Sequence, residues 1–404
     1  MSTSLLYHGF GIRGYQYVRT QYEGGAMIFS IEQKAQDLAC SECGSHEVIR
    51  RGQIQRKFRA LPIGGKPVWI SLGIQRVKCL FCGLIRQVRL GFASPRRTYT
   101  KAFERYALEL CKHMTMLDVA RHLGVSWGVI KDILKRNLRK RFSKPKLNKL
   151  KRIAIDEISI GKGHQYLTVV LDLRTGAVVF IGEGKGAEAL LPFWRRLKAS
   201  KAEIKAVAMD MSQAYISAVR ENLPEATIVF DRFHIMKLYN DKLSDLRRSL
   251  YHQASSQGDQ EVIKGTRWLL LKNPENLDET RSEPQQLQQA LKLNEPLAKA
   301  YYMKEDLREV WNQPSKEAAE EFFIDWLFRA GTSGIPTLIK MAHTLGAHRP
   351  GILAYYDHPI STGPLEGTNN KIKTMKRQAY GFRDREFFKL KIMALHEKKY
   401  ALIG

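Results

Sequence analysis

The runs "RIAIDEISI" (residues 152–160), "HQYLTVVLDLR" (164–174) and "GAVVFIGEG" (176–184) decide the fold. Each is short, rich in β-branched residues and bounded by glycine or charge, which reads as a strand. The second and third meet at a tight turn, Thr175-Gly176. Outward from them, "AEALLPFWRRLKA" (187–199) is an amphipathic helix and "IKAVAMD" (204–210) an apolar strand ending on Asp210. "SQAYISAVREN" (212–222) is a second helix and "ATIVFD" (226–231) a fifth strand ending on Asp231. Three consecutive strands followed by helix, strand, helix, strand fit one mixed sheet, a meander extended by parallel strands reached through helices.

This order predicts an α/β domain with a ribonuclease-H-like mixed sheet. In that arrangement the first and fourth strands are neighbours, so Asp156 within the first and Asp210 at the tip of the fourth meet at one point. An aspartate at a strand end is by itself more often a cap or turn residue. Asp156 follows "IAI" inside a sheet, where a carboxylate is costly to desolvate unless a cation compensates. A third acid comes from "STGPLEGTNNKIKTMKRQAYG" (361–381), in which Glu366 begins a helix expected to return across the sheet. Two hard cations roughly 3.5–4 Å apart, held by these oxygens, would activate an attacking water and neutralise the leaving oxygen of a phosphodiester. Lys371, Lys373, Lys376 and Arg377 follow on the same helix, suited to a nucleic-acid backbone. The plainer reading of Glu366 is a first-turn glutamate favoured by the helix dipole.

The remainder of the chain points to the same partner. Its 404 residues exceed one domain, and its formal charge of +26 with a pI near 9.8 favours a polyanion. Residues 51–150 alone contribute +20. Nothing approaches the ~18 apolar residues of a membrane span, and the N-terminus lacks a signal-peptide pattern, so a cytoplasmic protein is expected. Cys40, Cys43, Cys79 and Cys82 form "CSECG" and "CLFCG", where each glycine lets the chain turn back on its thiolates. Four such sulfurs suit a structural zinc ion in an elongated ribbon whose intervening residues read as strand, turn, strand. Cys111, alone in a helical stretch, reads as a core residue.

"MLDVARHLGVSWGVIKDIL" (116–134) has Ala120, Gly124 and Ile130 where a helix-turn-helix needs a small contact residue, a turn residue and an apolar anchor. Ser126, Trp127 and Lys131 are its candidates for DNA contact, Ser126 being also able to cap the second helix. The stretch 135–152 reads as a basic linker. Beyond the sheet, about 120 residues read as helical, with Trp268, Trp311 and Trp326 mostly at core positions.

Together these motifs resemble the bacterial insertion-sequence transposases with an Asp-Asp-Glu triad, the ISL-three group. The resemblance rests on the paired CxxC ribbon, the helix-turn-helix, "IDEISIGKGHQYLTVVLDLRTG", "MDMSQAYISAV", "FDRFHIMKL" and "GPLEGTNNKIKTMKRQAYGF", and covers nearly the whole chain. It implies Asp156, Asp210 and Glu366 as the triad, Mg2+ as cofactor, and excision at terminal inverted repeats followed by joining of 3'-hydroxyl ends to target DNA. It also implies an Asp-x-x-His motif in Asp231 and His234, the histidine near the scissile phosphate, with Arg232 able to grip backbone. The expected division is an N-terminal arm and zinc ribbon (1–95), a helix-turn-helix domain (96–145), a catalytic domain (146–240 and 356–404) and a helical insertion (241–355). Two ends handled together imply a homodimer or larger assembly on double-stranded DNA. The rivals are a zinc-dependent DNA-binding regulator with an inactive sheet domain, and a nuclease or resolvase of the same fold.

Overall fold

The computed structural model describes residues 3–254 and 256–396. The chain forms two compact units, Met1–Arg141 and Phe142–Gly404. In the first, a helix Thr3–Phe10 precedes β1 (Tyr15–Glu23), β2 (Ala26–Gln33), β3 (Val48–Ile63), β4 (Lys66–Cys79) and β5 (Ile85–Gln87). The sheet order is β1-β2-β4-β3, with β5 also on β4. The long β3–β4 hairpin is the strand–turn–strand read from the sequence. The N-terminal residues are no free arm, because β2 pairs parallel with β4 and its Phe29 and Ile31 share a core with Leu6, Phe10, Phe58 and Ile70.

The register Val48↔Cys79 brings the two cysteine pairs together at one end of this hairpin. Cys40 and Cys82 Sγ are 3.7 Å apart and Cys43 and Cys79 Sγ 3.6 Å, and all four sulfurs lie within 4.8 Å of one another. A tetrahedron with Zn–S bonds of about 2.3 Å has edges of about 3.8 Å, so the donor set fits zinc. Each knuckle closes alike, Gly44 N donating to Cys40 O and Gly83 N to Cys79 O, both at 3.1 Å. Both glycines adopt positive φ, 79° and 72°, where a side chain would be strained. The amides of Cys43 and Glu42 bring the Cys40 thiol down to about 6, toward the thiolate a metal needs.

Helices Lys101–Leu110, Met116–Leu123 and Trp127–Phe142 complete this unit. Thr115 caps the second, Gly124 ends it at φ 61°, and Ala120 and Ile130 are buried. The carbonyl of Ser126 accepts from Val129 N at 3.0 Å. Trp127 is 45% exposed, with Lys131 Nζ 5.4 Å from its ring centroid. Cys111 is half-buried against this helical core. The expected linker at 135–152 is helical as far as Phe142, and Leu147 and Leu150 among its lysines are buried in the second unit's core.

The second unit contains β6 (Arg152–Gly161), β7 (Gln165–Asp172), β8 (Ala177–Glu183), β9 (Ala206–Met209) and β10 (Thr227–Phe230), in the order β10-β9-β6-β7-β8. β6–β7 and β7–β8 are antiparallel, while β6–β9 and β9–β10 are parallel. This is the ribonuclease-H-like sheet expected from the sequence. Phe193, Trp194 and Leu197 of helix Leu191–Ser200, and Tyr215, Ile216 and Val219 of helix Gln213–Asn222, are buried in its core.

A helix Arg232–Gln253 leaves β10 and runs through the boundary expected at 240 into a helical insertion. Residues 266–272 depart from the expected helix, as does the 3-10 turn Glu279–Arg281, and Asn294 divides the long helix expected beyond it in two. At 266–272 Lys304 Nζ takes the carbonyls of Leu270 and Lys272, at 2.9 and 3.1 Å, and pairs with Glu305 at 2.7 Å. These turns leave Trp268 64% exposed, whereas Trp311 and Trp326 are buried. The chain returns through helix Arg349–Leu353, which presses so closely on β10 that a Cβ at Gly351 would stand 2.5 Å from the Phe230 ring. Helices Gly363–Gln378 and Arg385–Met393 follow, and residues 397–404 of the expected catalytic part lie outside the described residues. No described helix is long and apolar enough to cross a membrane.

The sulfur geometry predicts one zinc per chain by elemental mass spectrometry of the purified protein. Cys79→Ser should lose that ion, and with it on the order of 3 kcal/mol, lowering the melting temperature of the first unit by roughly 10 °C.

Candidate active site

Strand register sets the site. β6 and β9 pair in parallel through Ala154↔Ala208, and β9 and β10 through Met209↔Phe230. Continued past the strand ends, this register brings Asp156, Asp210 and Asp231 to one level across three adjacent strands, about 4.8 Å apart from strand to strand. Three like charges in a row repel unless something compensates.

Each aspartate is held differently. Asp156 is half-buried, its Oδ1 accepting from Glu157 N and its Oδ2 from Asn369 Nδ2, both at 2.8 Å. Asp210 Oδ1 accepts from Ser212 N at 3.0 Å at the start of the following helix. Asp231 is 3% exposed and both its oxygens are taken by Thr362, the amide at 3.2 Å and the hydroxyl at 2.8 Å. This tie spans 131 residues. It fixes the entry to helix Gly363–Gln378, where Thr362 O in turn accepts from Glu366 N at 2.9 Å.

On that helix Leu365, Thr368, Asn369 and Ile372 form the buried face, the i, i+3, i+4, i+7 spacing of a stripe turned to the sheet. Glu366 is exposed in the first turn, one turn ahead of Asn369, where Cβ atoms of an i, i+3 pair stand about 5–6 Å apart. Lys373 and Arg377 continue the Glu366 stripe at two and three turns, and both are exposed. Lys376 is half-buried on its flank, and Lys371 projects from another side of the helix. Among the described residues only the four cysteines gather three or more such donor atoms within 4.8 Å. At least one pair among Asp156, Asp210 and Glu366 is therefore wider than that, and Asn369 occupies Asp156 Oδ2.

Burial raises the Asp156 carboxyl above its ordinary range; His234 and the Glu157 amide oppose this, while Asp210 and Asp231 reinforce it. Half-buried His234 lies in the first turn of the helix that Asp231 caps, beside exposed Arg232. Glu157 is raised too, by burial and then by Asp210 and Asp156, with Lys185 opposing. It lies opposite Thr168, whose hydroxyl is 2.9 Å from Tyr215 OH. A hard divalent cation suits this concentration of carboxylate oxygens. Among the described residues the buried Asn369 Oδ1 has no hydrogen-bond partner, and it is a further oxygen within the same cluster.

Sequence reasoning missed Asn369, Thr362 and Glu157. The signal for Asn369 was present, a polar residue on the apolar stripe of its helix. Nothing local distinguished Thr362, because its partner lies 131 positions away in the sequence.

A family model described as Transposase matches residues 153–392. The helix-turn-helix domain of transposase family ISL3 matches 88–136, and the zinc-finger of transposase IS204/IS1001/IS1096/IS1165 matches 37–82. The chain is 33% identical over 392 residues to the transposase for insertion sequence element IS1001 of Bordetella parapertussis, covering 95% of this chain and 96% of that protein. It is 29% identical over 371 residues to the transposase for insertion sequence element IS1557 of Mycobacterium tuberculosis, covering 85% and 82%. Among solved structures it is similar to the Drosophila P element transposase strand transfer complex, with 12% identity and a TM-score of 0.41 over 73% of this chain and 92% of that one. With a transposase match across most of the second unit and a relative 33% identical over 95% of this chain, the chain belongs to the ISL3 family of transposases.

Proposed function

We propose that this transposase binds the terminal inverted repeats of an insertion sequence, cuts the DNA there and joins the freed 3'-hydroxyl ends to target DNA. The observation that carries the chemical part is the row Asp156, Asp210, Asp231 on neighbouring strands, joined through Asn369 to the helix that bears Glu366. In this reading Asp156, Asp210 and Glu366 hold divalent cations, Mg2+ being the expected ion. Bound there, the cations would supply Lewis acidity toward the attacking oxygen, water in the first step and a 3'-hydroxyl in the second, and toward the leaving oxygen.

The remaining residues act by position and charge. Asn369 keeps the Asp156 carboxylate oriented. Asp231 acts through Thr362, setting where the first turn of the Glu366 helix begins. His234 donates a hydrogen bond to a phosphate oxygen or passes a proton, and Arg232, Lys373 and Arg377 hold the backbone on either side. Residues 1–95 and 96–145 serve as the DNA-reading part, 146–240 with 356–404 as the catalytic part and 241–355 as the helical insertion. Ser126, Trp127 and Lys131 face the repeat, which two copies of the chain engage together. DNA of this kind places the protein in the cytoplasm, on the nucleoid.

Labelled repeat ends incubated with Mg2+ test the reading directly. Glu366→Gln should reduce cleavage by roughly 10²–10³-fold while leaving gel-shift affinity for the ends unchanged. Cleavage at the wild-type rate would remove Glu366 from the site.

The raised Asp156 carboxyl predicts a stability effect of opposite sign. A folded-state value above the unfolded one means that the native chain loses stability as pH rises through that window and bears the cost of an ionised Asp156 at neutral pH. Asp156→Asn should therefore melt higher than wild type at pH 7 without divalent ions, by roughly 2–4 °C for each kcal/mol relieved, and show no such gain near pH 3. Mg2+ should raise the wild-type melting point and leave that of the variant unmoved.

For the tie between strand and helix, Thr362→Val should cost about 1–3 kcal/mol by leaving Asp231 short of a donor, and should slow cleavage more than DNA binding. Thr362→Ser keeps the hydroxyl and should restore both, as measured by melting and by single-turnover cleavage.

A further inference from the structure

Between Glu47 and Glu104 the chain carries thirteen lysines and arginines and not one aspartate or glutamate. This span covers β3, β4, β5 and the connection into the helix-turn-helix. Part of that charge converges on a groove of about 630 Å³, lined by Arg56, Arg89, Arg96 and Lys101, with Glu42 as its one acidic residue.

The basic groups of the groove are arranged rather than scattered. Arg56 is fixed, its guanidinium stacked 5.2 Å from the Phe58 ring and donating to Arg97 O at 3.1 Å. Lys101 Nζ donates to Gly91 O at 2.8 Å. Arg89 and Arg96 are exposed and make no ion pair among the described residues. Arg96 is also held at φ 61°, a left-handed conformation that costs a non-glycine residue of order 1 kcal/mol.

The groove lies where the ribbon meets the helix-turn-helix, and that junction is locked. Arg59 of β3, 5% exposed, donates to Val68 O within the sheet at 3.3 Å and to Leu123 O, the end of helix Met116–Leu123, at 2.8 Å. Its guanidinium lies 5.6 Å from the Trp69 ring and 5.9 Å from that of Phe103. Thr98 O and Thr100 N bond the backbone of Arg59, and Arg97 pairs with Asp132 of the helix Trp127–Phe142 at 3.0 Å. Removing the buried guanidinium would strand two carbonyls, so the two DNA-reading modules are held in one orientation.

We propose that Arg56, Arg89, Arg96 and Lys101 form a cradle for the phosphodiester backbone of duplex DNA, so that ribbon and helix-turn-helix engage one duplex as a single rigid head. Charge selects the occupant, because a polymer with phosphates at close, regular spacing matches four cations that share the groove with the single carboxylate of Glu42. The contact is to backbone, so it adds affinity without sequence preference. The proposal rests on the reading of this unit as the DNA-binding part.

The test is a salt titration of the full chain on a terminal-repeat duplex and on an unrelated duplex, comparing wild type with the triple variant Arg89→Gln, Arg96→Gln, Lys101→Gln. Each lost phosphate contact removes about 0.9 from the slope of log K against log salt, so the triple variant should lose roughly 2.7 on both duplexes with its preference between them intact. Zinc content and melting temperature report whether the variant is folded, and Arg56→Gln alone, expected to lose about 0.9, serves if the triple variant is not. An unchanged slope in a folded variant that still prefers repeats would overturn the cradle and leave the terminal-repeat reading standing. A reduced slope in a protein that never prefers repeats would uphold the cradle and sink that reading instead. Failure of wild type to bind either duplex would sink both.

Discussion

The carboxylate of Asp156 is the constraint around which the second unit is organised. It sits inside a strand, where ionisation is opposed by burial and by Asp210 and Asp231 at the same level of the sheet. Two neutral donors, the Glu157 amide and the Asn369 side chain, and the charge of His234 are what favour its ionised form. A fold selected for stability alone would place an apolar residue there, as it does at Ile153 and Ile155 on the same strand. In the proposed reading that cost is the requirement of a cation-binding site, with Asp210 and Glu366 as the other ligands.

Asp231 shows how similar chemistry can serve a different end. It occupies the same row as its neighbours, yet it is almost wholly buried and both its oxygens accept from Thr362, which makes it a fastener between strand and helix. Burial supports this division. Asp231 is 3% exposed with a donor on each oxygen, whereas Asp210 is half-buried and, among the described residues, has a donor on one oxygen alone. The histidine three residues on is thereby carried by a helix whose first turn is anchored at the same place.

Much of this was legible in the amino-acid order. Period-two runs with a turn at Thr175-Gly176 were enough for the sheet and its strand order, because a right-handed crossover leaves few alternatives once three strands meander. The two CxxC pairs were equally plain, since thiolate spacing is local. What escaped was non-local or competitive. The N-terminal hairpin joins the first sheet by a parallel pairing that no local pattern announces. The turns at 266–272 arise because Lys304, 34 and 32 positions beyond Leu270 and Lys272, captures their carbonyls and overrides a helical composition. Asn369 and Thr362 are ordinary helix and cap residues until the facing strands are in place.

The strand-to-helix fastening also closes the chain between Asp231 and Thr362, 131 positions apart, into a loop whose two ends meet. The position of the Glu366 helix is therefore set by that closure and by the packing of Gly351 on Phe230, and is insulated from the length of what lies between. Doubling such an excursion costs only about 0.6 kcal/mol in closure entropy. The helical segment is thus open to growth, trimming or replacement over evolutionary time, a modular appendage that can be refitted to new DNA architectures while the chemistry beneath it stays in register.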